Sequence, residues 1–149
     1  MKNTFNNIII LILTMNTFNA FTQNQNTFLQ EVNDKPTTKK VLSLNSSKLS
    51  EWTLFYGVQG QNAPQTPDDL QNSKFKSIPA SVPGNVEIDL EREGIIEDPM
   101  IGDNVYDLRK YEVYDWWYFR EFDAPKFELG ERVELAFDGI DCIADIWLN

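Results

Sequence analysis

From Tyr114 to Phe122 the chain reads Tyr-Asp-Trp-Trp-Tyr-Phe-Arg-Glu-Phe, with bulky side chains at consecutive positions. In an extended strand successive side chains point to opposite faces. Trp116, Tyr118, Arg120 and Phe122 then share one face, and Trp117, Phe119 and Glu121 the other. A strand open to water on one side alternates apolar with polar, so this one predicts a central strand covered on both faces. Trp116 and Trp117 cannot both serve one surface: one is core, and the other either lines a cleft or covers the second face.

The rest of the chain supplies further short strands. Val41 to Leu44 and Trp52 to Tyr56 read as strands, the second ended by Gly57. Gly60 to Lys76 is loop-like, with a helical turn suggested at Asp68-Asp69. Ile78 to Gly84 is extended, because each residue before a proline is pushed out of the helical region. Asn85 is placed to cap a two-turn helix from Val86 to Glu93, with Val86 and Leu90 on its buried face and Gly94 at the left-handed stop. Glu87, Asp89, Glu91 and Glu93 read as that helix's acidic first turn and solvated face. Asp98-Pro99 and Gly102-Asp-Asn104 are turn chemistry. Arg132 to Asp138 alternates with Val133, Leu135 and Phe137 inward, and Cys142 to Leu148 follows as an apolar strand. Short strands, Pro/Gly turns and one short helix predict an all-β sandwich or jelly roll.

A chain of 149 residues has room for about one domain. Lys2, the apolar run Ile8 to Leu13, and Ala20 with Thr22 follow the order of a secretory signal over residues 1–22, cut before Gln23. The run falls short of the roughly 18 apolar residues of a membrane-spanning helix. Residues 23–40 are polar and unpatterned, a flexible leader before a folded part over residues 41–149. This predicts a secreted or periplasmic protein without a membrane anchor.

The chemistry open to the chain is narrow. It has no histidine and one cysteine, Cys142, which excludes Ser-His-Asp catalysis and an intramolecular disulfide. A net charge of −10 argues against nucleic acid as a partner. Asp103, Asn104 and Asp107 offer oxygen ligands, but their spacing does not match a calcium loop. Asp138 and Asp141 flank Gly139 as turn formers. No residue is assigned a catalytic, cofactor-binding or metal-binding role.

Four blocks in this order resemble the N-terminal sugar-binding β-sandwich of glycoside hydrolase family 2, in its β-mannosidase-like branch. They are Pro79 to Val86; Asp89-Leu90, Gly94 to Ile96 and Asp98 to Asn104; Asp115 to Tyr118 with Arg120 to Phe122; and Gly130 to Gly139 with Ala144 to Asn149. The resemblance spans Trp52 to Asn149. It implies a galactose-binding-like jelly roll, and in a full-length member a (β/α)₈ barrel carrying two catalytic glutamates for retaining hydrolysis. It also implies a carbohydrate partner, a β-mannoside or related glycoside. Many members have Trp shortly after the position of Arg109, where this chain has Lys110-Tyr111. In the family Trp-Leu-Asn is followed by Gly in a hairpin turn, so a sandwich incomplete at its C-terminus is expected here. The other reading is a stand-alone carbohydrate-binding or protein-interaction module without catalysis.

Overall fold

The computed structural model describes residues 40–49, 51–60, 62–126, 131–140 and 143–148, together with the backbone of 8–15. Its centre is a five-stranded sheet in the order β3-β2-β4-β1-β5. The strands are β1 (Ile8–Met15), β2 (Trp52–Val58), β3 (Lys76–Ala80), β4 (Tyr114–Asp123) and β5 (Ala144–Leu148). Every neighbouring pair is antiparallel. The architecture is the all-β, antiparallel one that the sequence predicts. A second facing sheet is not formed among the described residues.

The two-faced strand is β4. Its register sets Trp116 opposite Tyr56, Trp117 opposite Phe55 and Tyr118 opposite Leu54 of β2. One face gathers Trp52, Leu54, Tyr56, Ala80, Trp116 and Tyr118 with Leu90. The other gathers Trp117 with Leu70, flanked by Phe55, Phe75 and Phe119. Full burial of each large side chain contributes about 1.5–3 kcal/mol, so these two layers hold the fold. Gly57 is required by the second layer, since a Cβ there would run into the Phe75 ring.

Two short helices cover these faces, where the sequence predicts one. Helix α2 (Val86–Arg92) brings Leu90 to the first layer. Asn85 caps it by accepting from the Ile88 N–H at 2.9 Å, and Gly94 ends it at φ +67°, both as the sequence predicts. Helix α1 (Pro67–Asn72) brings Leu70 to the second layer. The suggested turn at Asp68-Asp69 is this helix. It is started by a reciprocal cap, with the Thr66 hydroxyl accepting from the Asp69 N–H and the Asp69 carboxylate from the Thr66 N–H. Pro67 at the first helical position needs no amide partner. A 3-10 helix (Asn104–Tyr111) follows the Asp98 turn, in a stretch the sequence gives no helical period.

Two predicted strands are absent. Val41 to Leu44 forms no ladder; instead the Leu44 carbonyl accepts from Trp52 Nε1 at 2.7 Å and from Arg120 Nη1. Arg132 to Asp138 is irregular, and Val133, Leu135 and Phe137 are exposed rather than inward. Alternation identifies a face that can be buried, but burial needs an opposing layer, and no described element supplies one. The last strand begins at Ala144, while Cys142 and Asp141 lie outside the described residues. So do Ala20, Thr22 and nearly all of the predicted leader. The apolar run read as part of a secretion signal lies within β1, between β4 and β5.

Candidate functional site

On the first face, α2 and the 3-10 helix leave a cleft of about 460 Å³ above β4. Leu90 and Trp116 line it from the core side, with Tyr106, Arg109, Tyr111 and Glu112 from the 3-10 helix and the turn after it. Its aromatic wall is continuous. Trp116 stacks on Tyr56 at 5.6 Å and on Tyr114 at 5.9 Å between ring centroids, and Tyr111 meets Tyr114 edge-on at 5.1 Å. Such offset and edge contacts favour a fixed arrangement of rings. Tyr106 stands mainly in solvent at 60% exposure, and the Arg109 guanidinium lies 5.4 Å from its ring centre.

This geometry separates the two tryptophans. Trp116 lies on the cleft face, with 9% of its surface accessible, whereas Trp117 is packed under α1 on the opposite face. Of the pair, Trp116 is the one that lines this cleft. The Tyr111 that stands near the family's tryptophan position joins this aromatic wall. Neither Tyr106 nor Arg109 is marked by the sequence, because a short 3-10 helix has no apolar period to reveal which side chains it presents.

The electrostatics beside the cleft are built around a residue that the sequence places wrongly. Asp89, expected on the solvated face of α2, is fully buried. Its carboxylate accepts from the Ser81 N–H at 3.1 Å and from Arg92 Nη1 at 2.8 Å. Arg92 also donates to the Ser81 hydroxyl at 3.0 Å and to the Pro79 carbonyl at 2.6 Å. The end of β3 thus leaves the sheet clamped to α2. Burial pushes the Asp89 carboxyl above its usual range, opposed by the bonds and charge of Arg92 and by Ser81. Helical geometry explains the misplacement: Asp89 and Leu90 are adjacent and together turn toward β3 and the core. The detectable signal is Arg92 three residues on, in ion-pairing register. Tyr118, buried nearby, has its phenol pushed far up by burial and by the negative charges of Asp89 and Glu87.

The chemistry of this arrangement is apolar contact with a few polar groups at the rim. Glu87 and Glu112 line the cleft, and Asp89 is committed to the clamp. Asn104 is tied into the turn, its side chain donating to the Asp98 carbonyl at 3.0 Å. Among the described residues no group of three or more His, Cys, Asp or Glu is placed to hold a metal ion.

Residues 61–149 match the family described as glycosyl hydrolase 2 galactose-binding domain-like. β-Mannosidase B of Thermothelomyces thermophilus is 38% identical over 81 residues, covering 54% of this chain and 9% of that protein. β-Mannosidase of Mus musculus is 40% identical over 74 residues, covering 48% of this chain and 8% of that protein. β-Mannosidase B of Neosartorya fischeri is 31% identical over 103 residues, covering 69% of this chain and 12% of that protein. No solved structure matches the chain. The similarity thus spans about a tenth of the length of these relatives. With a family match over more than half its residues, on an antiparallel sheet of the expected kind, this chain belongs to the glycosyl hydrolase 2 galactose-binding domain-like family.

Proposed function

We propose that this chain forms the non-catalytic N-terminal β-domain of an exported β-mannosidase-like glycoside hydrolase. The observation that carries the reading is its similarity to fungal and rodent β-mannosidases at 31–40% identity. In this reading hydrolysis of the glycosidic bond belongs to a pair of carboxylates on another part of the polypeptide. The domain contributes a rigid sheet and the aromatic cleft beside Trp116, whose tyrosine faces suit the C–H surface of a pyranose. Export is supported by Lys2, the Ile8 to Leu13 run and the Ala20/Thr22 pair.

Reading the coding DNA through codon 149 and assaying the encoded polypeptide on aryl β-mannosides, β-glucosides and β-galactosides tests this. We expect an open frame and turnover of the β-mannoside, with the 149-residue chain alone equal to the buffer blank. A stop codon at once, together with glycan binding by the chain alone, would establish the stand-alone module instead.

A further inference from the structure

We propose that Ile8–Met15 has two mutually exclusive uses, as the apolar stretch of the export signal and as the strand joining β4 to β5, so that folding masks the signal. The proposal rests on the reading of residues 1–22 as a signal. Its structural half is independent of that reading. β1 lies inside the sheet, paired antiparallel along both edges. Ile8 to Met15 runs against Asp123 to Trp116 of β4, and Leu11 to Met15 against Leu148 to Ala144 of β5.

Two consequences follow from that register. Export machinery must take hold of Ile8 to Leu13, and here the backbone of that segment is paired with β4 throughout and, from Leu11 on, with β5 as well. Releasing it opens both ladders at once, and the hydrogen bonds they supply to the sheet are lost together. In addition, β5 reaches the described sheet only through β1. Cleavage therefore detaches Ala144–Leu148 and uncovers the edge of β4 from Trp116 to Asp123. An uncovered edge of that length accepts another strand. The same cut that completes export thus changes the sheet, and a chain that folds before export retains its signal.

The test uses the full 149-residue chain. Hydrogen exchange is measured on the folded chain, and signal peptidase in detergent is offered either the folded chain or chain freshly diluted from urea. We expect the amides of residues 8–15 and 144–148 to be protected, and the folded chain to be cut at least about tenfold more slowly, as opening of the sheet limits access. After cutting, protection should be lost at 144–148 and kept in β2. Equal cutting of both forms, or free exchange at residues 8–15, overturns the masking. If neither form is cut while residues 8–15 are protected, the export reading fails and β1 is a structural strand alone.

Discussion

Asp89 shows how one side chain can tie an acidic helix to a sheet. A buried carboxylate is costly unless its oxygens are paired, and here an amide and a guanidinium supply the partners. Replacing Asp89 by Ala leaves the Ser81 amide and Arg92 without it, and leaving such partners unsatisfied costs about 1–3 kcal/mol. Urea unfolding should show that loss as a lower midpoint for Asp89→Ala. The pH dependence has a defined sign. A carboxyl raised in the folded state binds its proton more tightly there than in the unfolded chain. Its contribution is fully present below the ordinary aspartate range and is lost as pH rises through the raised value. Against Asp89→Asn, the wild type should therefore lose stability as pH rises above the ordinary aspartate range; a flat difference would show that Arg92 cancels the burial. The aromatic pair makes the complementary case. Trp117→Ala should cost about 3–5 kcal/mol because it empties the layer under α1. Tyr106→Ala, at an exposed position, should stay within about 0.5 kcal/mol of wild type. If the cleft holds sugar, the Tyr106 variant weakens glycan binding in calorimetry without moving the melting curve.

At the scale of elements, α2 was legible from end to end because its start and stop rest on local chemistry. Asn85 caps, and Gly94 adopts a left-handed turn that other residues resist. Asn85→Ala should cost about 1 kcal/mol and Gly94→Ala about 1–2 kcal/mol, read from thermal melts. Strand β4 was equally legible, since only extended chain sends Trp116 and Trp117 to opposite layers. The cleft was not. It is made by a 3-10 helix without a period, and by Asp89, whose burial depends on where β3 ends. Val41 to Leu44 and Arg132 to Asp138 mark the other limit. Their apolar residues suit a strand, but a strand also needs a partner edge, and that depends on the rest of the fold. In the first segment the Leu44 carbonyl is taken up by Trp52, eight residues on, and by Arg120, 76 residues on, and no window around residue 44 contains the second pairing.

For the molecule as a whole, apolar surface is unevenly distributed. The layers around β2 and β4 are closed, whereas the stretch from residue 131 to 148 exposes Val133, Leu135, Phe137, Ile143, Ile146, Trp147 and Leu148. On β5 this coincides with a strand that has β1 on one side and no strand beyond it in the described sheet. An exposed apolar edge strand pairs readily with another copy, and native edges are commonly protected by a charge, often lysine. The 149-residue chain should therefore associate as its concentration rises, visible as a growing mass in light scattering after size exclusion. Trp147→Lys places a charge on that strand without touching the packed layers. It should shift the material toward monomer while leaving the melting temperature nearly unchanged. Covering the same residues with further strands of a sandwich should act in the same direction and also raise the melting temperature, since burial contributes about 25 cal/mol per Å² of apolar surface. A wild-type chain that stays monomeric at every concentration would mean that β5 and residues 131–140 are covered in solution by something other than a second copy. A Trp147→Lys variant that associates as strongly as wild type would move the sticky surface away from β5.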